Sequence, residues 1–275
     1  MTTKIPEPEY RYSTDKLVKA YKSAVREIFR TLDRVDISNM TRANTAAMLT
    51  EVSKVLASLN DESAAWVAEN IPIAAQNGVL TALVALDVKD AAKVVSFNKI
   101  NREMVAAVVA DTQADLLAVT QNVDRRVRTT IRQVTAESMR MNMARGINGR
   151  KTINRDILDG LKKKLGDSVN TGIIDAAGRR WKPEVYVDMI TRTKSLEAHK
   201  EATLNEAITR GAFYGVISRH NAKDVCRKWE GQIVKLVRDA PGDYPYIGDL
   251  PRNEIFHPCC RHVVTPLRDP ALLNQ

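Results

Sequence analysis

All three cysteines and three of the four histidines fall between residues 220 and 262: His220, Cys226, His257, Cys259, Cys260 and His262. Thiolates and imidazoles are the donors that zinc prefers, and four of them close a tetrahedral structural site. The window reads H-x5-C, a stretch of loop and strand, then H-P-C-C-R-H. In an extended segment residues 260 and 262 share a face, as do 257 and 259. The spacing is not that of a common zinc finger, so the residue types leave other readings open. One is a set of hydrogen-bonded loop histidines beside cysteines that act as small apolar residues. Another is a catalytic metal site, which needs an open coordination position and a general base beside it. Asp224, Glu230 and Glu254 lie in the window, but no H-E-x-x-H-like spacing assigns one of them to that work.

These donors must be positioned by the rest of the chain. Its 275 residues are enough for one large domain or two ordinary ones. Aromatics make up only 5%, which favours helices packed through aliphatic side chains. No apolar run is long enough to cross a membrane. The N-terminus lacks a signal-peptide core, and three cysteines make a poor disulfide framework, so a reducing compartment is expected.

The first 165 residues read as helix. Ser13-Thr14-Asp15 are good caps for a helix through Leu17, Tyr21, Val25, Ile28 and Leu32. Ser38–Thr41 breaks it, a second helix runs to Leu59, and Asn60-Asp61-Glu62 opens a third in which Pro72 predicts a kink or a break. After Asn98, apolar positions from Val105 through Leu116, Val123 and Ile131 to Met141 recur in steps of three and four, uninterrupted by Gly or Pro until Gly146. That predicts one helix over about 98–145, either a seam between copies or a long helix buried among its own neighbours. Met139, Met141 and Met143 are expected to pad a helix interface.

The net charge of +9 is concentrated. Between Asp124 and Lys151, Arg125, Arg126, Arg128, Arg132, Arg140, Arg145, Arg150 and Lys151 face only Asp124 and Glu137. Such a face is either simply solvated or a surface for phosphates or an acidic protein.

After residue 150 the character changes. A short helix over 156–165 precedes two short strands around a turn at Ala177-Gly178, and Pro183 starts a further helix that ends by Gly211. Strands follow at Tyr214–Ser218, Gly231–Val237 and Val263–Val264. Trp181 and Trp229 are expected in the core here, and Trp66 in the helical bundle. The fold class is therefore α+β. An elongated all-α region, residues 1–165, precedes a small α+β domain, residues 166–275, with the boundary near 150–168.

The C-terminal residues also carry a resemblance. Ile174-Asp175, Gly178-Arg-Arg-Trp181, Tyr186-Val-Asp-Met189, Ile217-Ser-Arg-His220, Cys226-Arg-Lys-Trp229-Glu-Gly231 and the closing His257-Pro-Cys-Cys260-Arg-His262 resemble, in order, the phage minor capsid protein 2 family, which is related to the Mu F-like head morphogenesis proteins. The family position between Pro258 and Cys260 is usually polar, often Asn; here it is Cys259. The resemblance implies a non-enzymatic virion protein of a tailed-phage head, near the portal vertex, made in the host cytoplasm. Portal and major capsid proteins and packaged DNA are its implied partners, and head assembly and DNA packaging or ejection its implied role. Beside it, the preferred set for a structural zinc is Cys226, His257, Cys260 and His262, with His220 as the alternative fourth ligand. A stand-alone nucleic-acid-binding protein and a metal-dependent nuclease are the alternatives.

Overall fold

A computed structural model describes residues 11–34, 42–146, 149–170, 173–175 and 178–273. It is an α+β chain: long helices dominate its first two thirds, and a small sheet lies towards its end. Two compact units are built from non-contiguous pieces, one from residues 14–66 and 113–188, the other from residues 67–112 and those from 189 onward. The change of composition at 150–168 and these units follow different lines, because long helices pass from one unit to the other. No described helix is long and apolar enough to cross a membrane.

The helical unit is held by α1 (Arg11–Asp33), the first part of α2 (Arg42–Ala85), most of α4 (Lys99–Ala144) and α5 (Arg150–Asn170); α3 is the short turn Ala91–Val94. Ile28, Val52, Leu56, Val123, Val127, Ile131, Ile157, Leu161 and Leu165 form one buried cluster, each at helical spacing from the next on its own helix. The stripe that promised a seam on α4 is thus buried within the chain from Leu116 to Ser138, whereas Met139, Met141 and Met143 stand exposed rather than padding an interface.

Several helix boundaries differ from expectation. α1 already includes Ser13–Asp15 in its first turn. The expected break at Ser38–Thr41 and the turn residue Ala177 lie outside the described residues. Asn60–Glu62 does not open a new helix, because α2 continues through it and past Pro72. The Ser63 hydroxyl bonds back to the Leu59 carbonyl (2.7 Å), and Leu56, Leu59, Trp66 and Val67 are all buried, so packing outweighs the capping signal. α5 is twice the expected length, since Ile153 and Val169 extend its apolar stripe. α4 begins as expected: Asn98 Oδ1 accepts the Asn101 N–H at 2.8 Å.

A hairpin of β1 (Ile173–Ile174) and β2 (Arg180–Trp181) follows. Trp181 is only half-buried there, donating its ring N–H to Asp175 (3.0 Å) instead of entering the core. In the second unit, α6 (Pro183–Thr209) leads to β3 (Tyr214–Ile217), β4 (Ile233–Lys235) and β5 (Val264–Leu267). The order is β4-β3-β5, antiparallel throughout. Pro266 is tolerated because β5 is an edge strand. The core joins Leu86, Leu204, Ile217, Val234, Leu250, Ile255 and Val264, with Trp229 packed against it and half-buried. Cys226 and Cys260 belong to this core.

Candidate metal centre

Three segments leaving the small sheet bring the donors together. β3 ends at Ile217 and the chain passes through His220 into a 3-10 turn, Val225–Trp229. Asp224 caps that turn, its Oδ1 accepting the Cys226 N–H at 3.1 Å, which fixes Cys226 with its side chain inward and 1% exposed. Glu230 closes the loop from the other side: Oε1 accepts the N–H groups of His220 (3.0 Å) and Ala222 (2.9 Å). The third segment runs from Pro251 into β5. Within it the Cys260 N–H returns to the His257 carbonyl at 2.9 Å, a tight turn that places His257 and Cys260 on one side. Ser218 and Val263 then exchange hydrogen bonds and anchor His262 beside β3.

The sulfur of Cys226 lies 3.8 Å from that of Cys260 and 2.9 Å from His257 Nε2. Cys260 Sγ is 3.3 Å from His262 Nδ1. A tetrahedral zinc with ligands at about 2.0–2.3 Å separates its donors by roughly 3.3–3.8 Å. The Cys226–Cys260 and Cys260–His262 distances have that spacing, and the Cys226–His257 distance is shorter. The chemistry of the set, two thiols and two imidazoles, fits zinc. Among the described residues three donor groups overlap: Cys226, Cys260 and His262; Asp224, Cys226 and His257; and His220, Glu230 and His262. Three of the preferred residues, Cys226, Cys260 and His262, share one group, whereas His257 meets only Cys226 of the set, in a separate group with Asp224. His220 stands on the far side of His262, its ring centroid 4.1 Å from that of His262.

Burial disfavours a thiolate at Cys226 unless a cation accompanies it. Burial, followed by the neighbouring Cys260, pushes the Cys226 thiol up to about 12. Two thiols this close do not both ionise unless a positive charge lies between them. The Ala222 and His220 amides, with His262 behind them, hold the Glu230 carboxyl at about 2. Burial, with His220 next, lowers His262 and keeps it neutral and able to offer a lone pair.

Cys259 is exposed and belongs to none of the three groups. It occupies the left-handed region (φ 64°), where Asn is among the residues best tolerated, and its N–H meets Thr193 Oγ1 at 3.3 Å. The position thus asks for a turn residue, not a ligand. Glu230 and Asp224 are the partners that sequence spacing did not assign. Only the return of the chain from β3 to β4 brings Glu230 to His262. Glu254 is engaged elsewhere, by Lys228 and the Trp229 ring N–H.

The arginines singled out on α4 divide. Arg125, Arg132, Arg140 and Arg145 are exposed and Arg126 is half-buried. Arg128 is tied to Asp124 (2.7 Å) and Ser53 and serves the packing of α4 on α2.

The model of the phage minor capsid protein 2 family matches residues 12–267. This chain belongs to that family. The match extends far beyond the C-terminal motifs and takes in the long helices. A structural role in a phage capsid follows for this minor capsid chain. No curated protein and no solved structure matches it.

Proposed function

We propose that this minor capsid chain is a non-enzymatic structural component of a tailed-phage head, at the portal vertex, where it aids head assembly and DNA packaging or ejection. The observation that supports the reading is the family match over nearly the whole chain, joined to a Cys/His cluster able to hold a metal ion. Cys226, His257, Cys260 and His262 hold a structural zinc that ties the 3-10 turn to the segment entering β5. A small sheet with a thin core gains its rigidity from such a bond set. The carboxylates beside the cluster are committed to structure, Asp224 as a cap and Glu230 as a bridge between two amides and His262. That supports a clasp over a nuclease. The exposed Arg125, Arg132, Arg140 and Arg145 meet packaged DNA or an acidic face of the portal or major capsid protein.

Metal analysis of the purified full chain tests the clasp: one zinc per chain is expected, with loss in Cys226→Ser and Cys260→Ser, and a well-folded zinc-free wild type would sink it. Heads assembled without the chain test the role. Co-purification with portal-containing heads, and heads defective in DNA content or delivery when it is absent, are expected. Normal infectious particles lacking the chain would refute the reading.

A further inference from the structure

The donor cluster contains more order than four side chains near a point. A neutral imidazole has one nitrogen that donates and one that accepts, and the partner of the first decides what the second can bind. In His257, Nδ1 lies 3.0 Å from the carbonyl of Pro258, a group that only accepts. Nδ1 therefore carries the hydrogen, and Nε2 presents its lone pair to Cys226 Sγ. In His262 the assignment is reversed. Nε2 lies 3.3 Å from Glu230 Oε1, an acceptor when ionised, so the hydrogen is there and Nδ1 presents its lone pair to Cys260 Sγ.

Glu230 is itself held rigidly. Its side chain is 8% exposed, and Oε1 receives two backbone N–H groups in addition to His262. Asp224 completes the pattern: its Oδ2 lies 3.6 Å from His257 Nε2. With the hydrogen on Nδ1, the His257 Nε2 lone pair and the Asp224 carboxylate share the Cys226 S–H as the one donor among the three groups. A cation taking the place of that proton would meet the sulfur, the lone pair and the carboxylate together.

We propose that Glu230 is a positioning residue for the metal, forming a carboxylate–histidine–metal triad in which His262 ligates through Nδ1 while His257 ligates through Nε2, and His220 stays outside the coordination sphere. The inference rests on the zinc clasp proposed above. It selects His257 over His220 as the fourth ligand, because His220 lies on the Glu230 side of the His262 ring. Such outer partners orient the ring and raise its basicity, and their loss costs about 10–100-fold in metal affinity.

The test is a zinc titration of the full chain against a chelator of known affinity, with wild type, Glu230→Gln, His220→Ala and His257→Ala. Glu230→Gln keeps the shape and is expected to bind about 10–100-fold more weakly. After cobalt substitution it should retain the thiolate charge-transfer bands and the intense visible bands of a tetrahedral site. His220→Ala is expected to match wild type in affinity, and His257→Ala to lose the tetrahedral spectrum.

Nitrogen-15 correlation spectra of the zinc-bound wild type need no variant to fold. They should show metal on Nδ1 of His262 and on Nε2 of His257, with hydrogen on the opposite nitrogens. Zinc bound with His262 ligating through Nε2, Glu230→Gln as tight as wild type, or His220→Ala as damaging as His257→Ala would each overturn this inference and leave the clasp standing. A wild type that binds no zinc overturns both.

Discussion

Replacing Gly78 by alanine sets two opposing effects against each other where α2 crosses α6. Alanine is the better helix former by about 1 kcal/mol, so at an open helical position the change stabilises. At Gly78 the position is closed. A Cβ there would lie 2.1 Å from the His199 carbonyl oxygen and 2.9 Å from its carbon, both backbone atoms that cannot turn away. Restoring an ordinary separation of 3.4 Å requires the helices to part by more than an ångström. Ala74, Ala75 and Ala202 are fully buried nearby, so parting opens gaps that small side chains cannot fill. It also stretches the hydrogen bonds across the crossing, Thr203 Oγ1 to the Gly78 carbonyl (3.0 Å) and His199 Nε2 with Thr81 Oγ1 (3.1 Å). Overpacking costs about 1–3 kcal/mol and each weakened buried hydrogen bond about 1 kcal/mol. Against the gain of about 1 kcal/mol, the net is a loss of roughly 2–4 kcal/mol. Chemical unfolding followed by circular dichroism at 222 nm measures it. Gly166→Ala is the matched control, since that helical glycine has nothing within 4 Å of its would-be Cβ; it should gain about 0.5–1 kcal/mol. Gly78→Ala as stable as wild type, or stabilised like the control, would refute the close crossing.

His199 is buried at the same crossing and kept neutral, its pKa lowered by burial from 6.5 to about 4. Its contribution to stability is complete above pH 6.5 and is lost as pH falls through about 4. Unfolding free energies between pH 7.5 and 4 should drop by as much as about 3 kcal/mol from this group, and His199→Gln should flatten that slope. Cys259→Asn should retain zinc and be as stable as wild type or up to about 1 kcal/mol more so, because the left-handed backbone suits Asn; a thiol reagent should label Cys259 in the native chain while Cys226 and Cys260 stay protected. Arg132→Glu with Arg140→Glu should weaken duplex DNA binding and flatten the dependence of log affinity on log salt by about 0.9 for each phosphate that is no longer neutralised, read by fluorescence anisotropy. Chelation should lower the unfolding midpoint of wild type and leave that of Cys260→Ser unchanged, read by thermal unfolding with and without added zinc.

Local signals were legible where packing agreed with them. The unbroken stripe after Asn98 became α4 because its positions from Leu116 to Ser138 found apolar partners. The six donors of the Cys/His window could be picked out by residue type alone; Cys226, Cys260 and His262 share one group, and His257 reaches it only through Cys226. The signals failed where packing overruled them. Asn60-Asp61-Glu62 has the composition of a helix start, yet the apolar positions on both sides share one buried stripe and the helix runs through. Trp181 has the size of a core residue, but a two-stranded hairpin offers little core and its ring N–H goes to Asp175. Glu230 and Asp224 were unreadable for a different reason. Their partners at residues 262 and 257 are set by the closure of β3 on β4 and β5, which no local spacing encodes. His199 lies outside the window and matters through the absence of a side chain at Gly78, a relation that only the crossing reveals.

The segment from Ile255 to His262 carries strain that the proposed clasp would offset. Phe256 and Cys259 both take positive φ without being glycine, at 56° and 64°, each at a cost of about 1–2 kcal/mol. Between and beside them sit His257 and Cys260, so the two strained residues are the ones that turn the donors inward. Apolar anchoring of the segment comes from Ile255 and Cys260 in the core and from Phe256 packed against it, and the Phe256 ring lies 4.7 Å from the Lys200 ammonium, itself buried with its pKa lowered, first by that burial. The same loop holds two left-handed residues beside two neighbouring thiols and two imidazoles. A cation at their meeting point would offset that strain, and removing it would release it. With a metal bound there, folding of this segment and metal binding would be a single equilibrium. Such coupling would let a sheet of three short strands be braced by a loop that carries two left-handed residues.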